Sequence, residues 1–103
     1  MIIYGLSNCD SCKKALRALP DFKLHDVRAQ PLSRAELKEF YARFGADLVN
    51  RRSTTWRNLS DAERQSDPLD LLAAHPSVMK RPLLRHGGGL LLGWGEETQK
   101  VLL

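Results

Sequence analysis

Two cysteines, Cys9 and Cys12, lie near the start of the chain, and they are its only two. A thiol attacks another sulfur only after losing its proton, and an unperturbed cysteine, with a pKa near ~8.5, is mostly protonated at neutral pH. A helix N-terminus favours the thiolate, because its backbone N–H groups and its dipole present positive charge. The C-x-x-C spacing therefore predicts redox chemistry if a strand precedes the pair and a helix begins there.

The residues around the pair predict that strand and helix. The apolar run Ile2–Tyr4, which stops at Gly5, is typical of a short buried strand. A polar segment follows, and then apolar residues recur at helical spacing until Pro20. That stripe consists of Cys12, Ala15, Leu16 and Leu19. Cys9 is thus predicted at or just before the first turn as the attacking thiol, with Cys12 one turn further on as a resolving thiol. The alternative, that the cysteines are only small core residues, stays open and is stronger for Cys12.

Neither a metal site nor a structural disulfide is expected at the pair. A tetrahedral zinc site would need two further ligands, and the three histidines, at positions 25, 75 and 86, are scattered along the chain. A structural disulfide is improbable in a reducing cytosol.

Basic residues supply candidate ligands for an anion. The segment Asn50–Arg57 holds three arginines among hydroxyl side chains, and Arg81 stands directly before Pro82. Guanidinium groups bind carboxylates and oxyanions in forked geometry. Lys13 adds positive charge close to the cysteines and is predicted to contribute to substrate binding. The alternative interpretation of the segment is a solvated basic loop with Trp56 as a core anchor.

Length and composition limit the class of protein. The chain has 103 residues, 43% hydrophobic and 27% charged, which fits one domain with its own core. A net charge of +4 suits an anionic small ligand but is too weak to indicate nucleic acid, and no basic helix face suggests direct DNA binding. No apolar run approaches the ~18–20 residues of a membrane helix, and the N-terminus does not resemble a signal peptide. We therefore expect a cytoplasmic monomer.

The remaining elements follow in a recognisable order. A second strand is predicted over Phe22–Val27, and a second helix begins after Pro31 and Ser33 and ends at Gly45. Strand, helix, strand, helix predicts a parallel βαβ unit.

The stretch 46–76 differs and predicts a helical insert. Helical pieces are expected at Leu48–Val49, at 60–64 with Ser60 and Glu63 in capping-box spacing, and at 69–74 between two prolines. Leu83–Arg85 and Leu90–Leu92 then flank three glycines, which predicts a β-hairpin, and a last helix is expected over 96–103.

Taken together, these segments resemble the arsenate reductase/Spx (ArsC-like) family of the thioredoxin fold, and most of all its small YffB-like branch. The matching segments are Tyr4-Gly5, Asn8–Ala15, Asn50–Arg57, Leu59-Ser60, Lys80–Leu84 and Leu91–Trp94. They occur in the family's order and span nearly the whole chain.

The resemblance implies a thioredoxin-like α/β fold, with a mixed central sheet in the order βαβα, helical insert, ββα. It implies one domain over 1–103, with the insert at about 46–76. It implies that Cys9 is the nucleophile and that Arg52 and Arg81 line a pocket for an oxyanion or for the carboxylates of glutathione. It also implies that Pro82 is the fold's cis-proline and faces the cysteine loop.

Three functions follow from the resemblance. The first is a glutathione-dependent thiol–disulfide oxidoreductase, with glutathione as co-substrate and no permanently bound cofactor. The second is an arsenate reductase that uses glutathione or glutaredoxin, but the family's third arginine, after the last strand, is missing from Gly93–Glu97. The third is an Spx-like redox regulator of RNA polymerase, since Spx proteins often have the C-x-x-C pair that arsenate reductases usually lack.

Overall fold

The computed structural model describes residues 1–103, and a mixed four-stranded sheet is its central feature. The strands are β1 (Ile2–Gly5), β2 (Lys23–Asp26), β3 (Leu83–His86) and β4 (Gly89–Leu92). In the order β2-β1-β3-β4, β1 is parallel to β2 and antiparallel to β3, which forms a hairpin with β4. The predicted parallel pair and hairpin are thus both present.

The sheet belongs to the first of two compact units, which combines Met1–Gln30 with Arg81–Leu103. Two helices complete this unit: α1 (Asp10–Ala18) joins the parallel strands, and α6 (Glu96–Leu102) follows the hairpin. One apolar cluster links strands and helices, because α1 turns the predicted stripe inward. Its buried members are Ile3, Ala15, Leu19, Phe22 and Leu84.

Helix α1 starts where the sequence predicted, with Cys9 just before its first turn. The helix begins at Asp10, two residues before Cys12, and its first turn therefore places a carboxylate at the positive end of the helix dipole. It ends at Ala18, where the Leu19 N–H still bonds to the Ala15 carbonyl at 2.9 Å. Pro20 then follows, as predicted.

The second unit comprises Pro31–Lys80 and is helical. Its longest helix, α2 (Arg34–Phe44), has the capping box of Ser33 with Glu36 at its start and Gly45, at φ +58°, at its end. The shorter helices are α3 (Thr54–Arg57), α4 (Asp61–Arg64) and α5 (Pro68–Ala74), with 3-10 turns at Gly45–Leu48 and Pro76–Val78.

Two details of this unit differ from the sequence prediction. Of the predicted helical piece Leu48–Val49, Leu48 is the last residue of a 3-10 turn, whereas Val49 lies outside it and forms a β-bridge with Met79. Val49 is β-branched and extended. Beside it, the Lys80 N–H donates to the Leu48 carbonyl at 2.8 Å. The basic segment after it was not predicted to be helical, yet α3 forms there because the Ser53 hydroxyl caps it.

The other predicted elements agree with the structure to within a residue or two. Helix α4 begins at its predicted cap, Ser60, and α5 begins at Pro68 as predicted, with Asp67 as an N-cap that was not predicted. That the chain is a single domain with an insert at about 46–76 stays a prediction. None of the helices has the length and apolar character that crossing a membrane requires.

Candidate active site

Cys9 occupies the N-cap position of α1, with its sulfur only partly shielded from solvent. A tight turn delivers it there from the end of β1: the Cys9 N–H donates to the Leu6 carbonyl at 3.2 Å, and its own carbonyl accepts from Lys13 at 2.9 Å. The Cys9 side chain makes no capping hydrogen bond to the helix backbone in the manner of serine or aspartate. Its sulfur therefore lies at the positive end of a helix without being used as a structural cap.

Three groups act on the Cys9 sulfur. Burial raises its pKa, but hydrogen bonds from the backbone N–H and the thiol of Cys12 lower it, and the charge and hydrogen bond of the Arg81 guanidinium lower it further. The net pKa of Cys9 is below that of an ordinary cysteine. The arrangement thus favours a thiolate, which is the form that attacks disulfides and oxyanions.

Cys12 is in a different environment, one turn along α1 and fully buried. Burial raises the pKa of the Cys12 thiol to about 12, and the adjacent Cys9 sulfur raises it too, although a backbone hydrogen bond from Leu6 opposes the shift. Gly5 makes room for this side chain, because a Cβ at that position would overlap the Cys12 sulfur. Cys12 is therefore a protonated thiol at neutral pH that supports Cys9.

Arg81 and Pro82 reach the cysteines through the pairing of β1 with β3. Tyr4, one residue before the end of β1, is opposite Leu83, so the residues just before β3 lie beside the cysteine turn. The Arg81–Pro82 peptide bond is cis, as the resemblance implied. Pro82 is fully buried, and its carbonyl accepts from the Gly93 N–H at 2.7 Å.

The two other predicted ligands, Lys13 and Arg52, belong to different units. Lys13 is exposed on α1, one residue after Cys12. Arg52 lies in an exposed turn of the second unit. Its backbone N–H donates to Asn50 Oδ1 at 3.0 Å, which holds the turn. Beside it, the Arg51 guanidinium lies 5.5 Å from the ring centre of Trp56. Trp56 is only half-buried, so the core-anchor interpretation describes it in part.

The structure therefore brings Cys9, Cys12 and Arg81 together, and two supporting residues of this site were not predicted. Gly5 was interpreted only as the end of a strand, although a glycine in a strand often marks a close approach of other atoms. Asp26, at the end of β2, accepts from the Ser7 N–H at 3.2 Å and so contacts the cysteine turn. An aspartate between a strand and a turn signals the local bonds that Asp26 accepts from the Arg28 and Ala29 N–H groups, but not its bond to Ser7. No group of three or more His, Cys, Asp or Glu side chains is arranged to hold a metal ion.

Known proteins are similar to this chain over most of its length. The family model described as "ArsC family" matches residues 4–102. An uncharacterized protein of Haemophilus influenzae is 42% identical and aligns with 96% of this chain and 95% of its own length. The global transcriptional regulator Spx of Streptococcus pyogenes is 32% identical over 93% of this chain and 79% of its own.

A solved structure of a protein named YFFB is similar along its whole length. It is 32% identical, with a TM-score of 0.88, and the match covers 99% of this chain and 97% of that one. With the mixed sheet of four strands and its flanking helices, this similarity establishes the predicted thioredoxin-like α/β fold.

Proposed function

We propose that this chain, which belongs to the ArsC family, is a thiol–disulfide oxidoreductase that uses glutathione and attacks through the thiolate of Cys9. One observation carries the proposal: a partly exposed cysteine sulfur at a helix start, with hydrogen bonds from Cys12 and Arg81. These contacts stabilise negative charge on sulfur and leave it open to an incoming disulfide. A cysteine with only a packing role would gain nothing from them.

The reaction with a glutathione mixed disulfide, R–S–S–G, proceeds in two exchanges. The Cys9 thiolate attacks the glutathione sulfur, a Cys9–S–S–G bond forms, and the R–S group leaves as a thiolate that takes up a proton. The thiolate of a second glutathione then attacks the same glutathione sulfur, forms oxidised glutathione, and releases Cys9 as a thiolate. The net change is R–S–S–G + GSH → RSH + GSSG, so glutathione supplies the electrons.

Glutathione fits the second exchange better than Cys12 does. Cys12 would have to lose its proton before attacking, and its buried thiol has a pKa raised to about 12. Its contact with Cys9 instead stabilises the leaving thiolate, because a leaving sulfur of low pKa departs faster.

The basic residues support glutathione as the substrate. Glutathione carries two carboxylates, and Arg81 presents a guanidinium beside the sulfur that it must reach. Arg52 and Lys13 are proposed as further ligands for its carboxylates, since both are exposed and cationic. Arg52→Ala and Arg81→Ala should each weaken glutathione binding while leaving the fold intact.

The deciding experiment is turnover of a small mixed disulfide with glutathione, coupled to reduction of the oxidised glutathione. Cys9→Ser should abolish activity above the uncatalysed rate, and Cys12→Ser, the matched control, should retain a substantial part of it. Full activity in Cys9→Ser would remove the proposal. Arsenate is included as a second substrate, and we expect only background reduction of it, because Gly93–Glu97 supply no third arginine.

A second candidate function, a redox regulator that binds RNA polymerase, is favoured by the similarity to the Spx protein. Oxidation of Cys9 and Cys12 to a disulfide would be its switch. Capture of RNA polymerase by the reduced and the oxidised chain tests it. Redox-dependent capture without any glutathione turnover would replace the enzymatic proposal, and capture in neither state would remove the regulatory one.

A further inference from the structure

Asp26 joins two loops at one edge of the sheet. Because β1 and β2 are parallel with Gly5 opposite Asp26, the chain leaves both strands at the same edge. Asp26 Oδ1 accepts from the backbone N–H groups of Arg28 and Ala29, at 2.9 and 3.1 Å, and Oδ2 accepts from that of Ser7, at 3.2 Å. One carboxylate therefore holds the loop after β2 against the loop after β1.

The loop after β1 is the turn that leads to Cys9. The Cys9 N–H bonds to the Leu6 carbonyl, which makes Ser7 and Asn8 the two central residues of a β-turn. The N–H of the first central residue has no partner within such a turn, and here Asp26 accepts it. Asp26 thus fixes the turn at Ser7. The residue before it, Leu6, also bonds to the Cys12 sulfur through its backbone.

We propose that Asp26 is a positioning residue for Cys9: its carboxylate holds the Leu6–Cys9 turn so that the Cys9 sulfur meets the donors of Cys12 and Arg81. The proposal rests on the proposed function only in taking Cys9 as the reactive thiol. Asp26 contacts backbone N–H groups and the Ser7 hydroxyl, and its effect on Cys9 is carried by the turn.

Asp26→Asn separates this role from others, because it alters one of the bonds selectively. The amide oxygen of asparagine can still accept from Arg28 and Ala29. Its NH₂ group, however, would face the Ser7 N–H, donor against donor. The loop after β2 is thereby preserved, while the Ser7 N–H loses its carboxylate acceptor and only the Ser7 hydroxyl, which can also accept, remains as a partner for the new NH₂ group.

The test is the rate of Cys9 alkylation as a function of pH, in the full chain and in Asp26→Asn. If Asp26 positions the turn, the variant should show a higher Cys9 pKa and, near neutral pH, a rate about threefold lower, as expected from one weakened hydrogen bond to the sulfur. If Asp26 acted only through its negative charge, its removal would lower the Cys9 pKa. The two explanations therefore predict opposite signs, and an unchanged or lowered pKa would overturn the proposal.

Asp21→Asn is the matched control, since Asp21 is an exposed carboxylate in the turn before β2 and loses the same charge. Its Cys9 alkylation profile should match that of the parent. Alkylation needs no glutathione turnover. A raised Cys9 pKa in Asp26→Asn, together with no glutathione turnover by the unmodified chain, would therefore uphold the positioning role and reject the proposed function.

A measurement on the unmodified chain covers the case in which Asp26→Asn fails to fold. In an NMR titration, the Ser7 amide resonance should shift with the ionisation of Asp26, in parallel with that of Ala29, because both N–H groups donate to the same carboxylate. A Ser7 amide that does not follow this ionisation would overturn the proposal.

Discussion

Replacing Gly5 by alanine tests how the sheet and α1 hold the cysteine pair. An added Cβ would overlap the Cys12 sulfur, while its other neighbours, Cys12 Cβ at 3.4 Å and Leu24 Cδ1 at 3.9 Å, are at ordinary contact distance. Gly5 lies in a strand and is not among the glycines with positive φ, so its backbone accepts alanine. The cost is steric alone, and it falls on one fully buried sulfur that cannot swing into solvent.

The magnitude follows from overpacking a filled site. Such insertions cost about 1–3 kcal/mol, which lowers the melting temperature of a domain of this size by roughly 4–20 °C. Removing the sulfur should relieve the clash, because the methyl group can take the space that it leaves. The double variant Gly5→Ala with Cys12→Ala should therefore lose at least about 1 kcal/mol less free energy of unfolding than the two single variants lose in sum.

Urea unfolding of the parent, the two single variants and the double variant gives this interaction energy directly. Gly88→Ala is the matched control, since a Cβ there meets no atom within 4 Å, and it should leave stability nearly unchanged. Additive free energies for Gly5→Ala and Cys12→Ala, to within about 0.5 kcal/mol, would refute the packing argument.

Two further predictions concern charge. Arg81→Met should raise the pKa of Cys9, because both a positive charge and a hydrogen bond are lost, and the alkylation rate of Cys9 against pH measures it. The control is Arg85→Met, whose guanidinium lies 5.9 Å from the Tyr4 ring centre; an equal shift in that variant would contradict the assignment to Arg81. A backbone hydrogen bond from Ser60, and next a hydrogen bond from the His75 side chain, hold the pKa of Glu63 below its usual range. The ionised Glu63 therefore stabilises the fold at pH values above its pKa in the unfolded chain, and this stability is lost as the pH falls through its pKa in the folded chain. Glu63→Gln should consequently flatten the loss of stability below about pH 4 in acid melting curves, and a slope equal to the parent's would contradict this.

Local sequence signals predicted much of this fold because each element carries its own. The stripe from Cys12 to Leu19 marked the buried face of α1. Ser60 marked a helix start through its capping-box spacing with Glu63, and Pro31 with Ser33 marked another. The glycines between β3 and β4 marked a hairpin, where Gly87 has φ +58°. These signals depend on residues a few positions apart, which is the range over which periodicity and capping act.

The surroundings of Cys9 depend on contacts between distant residues, which such signals do not report. Arg81 reaches the cysteine only because β3 pairs with β1, and Asp26 reaches Ser7 only because β1 and β2 are parallel and in that register. The need for glycine at position 5 likewise depends on the packing of α1 on the sheet. The sequence predicted Cys9, Cys12 and Arg81 as site residues and the helix that Cys9 precedes, while the parts played by Gly5 and Asp26 follow from helix packing and strand pairing.

The sequence predicted Cys9 as the attacking thiol but left open whether Cys12 is a resolving thiol or only packs. Burial separates them: Cys12 is fully enclosed with a pKa raised to about 12, whereas Cys9 is partly exposed with its pKa lowered. Opposite shifts in adjacent groups of one kind are a common feature of sites that do acid–base or nucleophilic chemistry.

The pH dependence of Cys9 alkylation tests the central claim most directly, with Cys9→Ser as the blank. The account predicts an apparent pKa below the ~8.5 of an unperturbed cysteine and no comparable reactivity in the blank. An apparent pKa at or above that value would contradict the claim that the start of α1, Cys12 and Arg81 together make Cys9 a thiolate nucleophile.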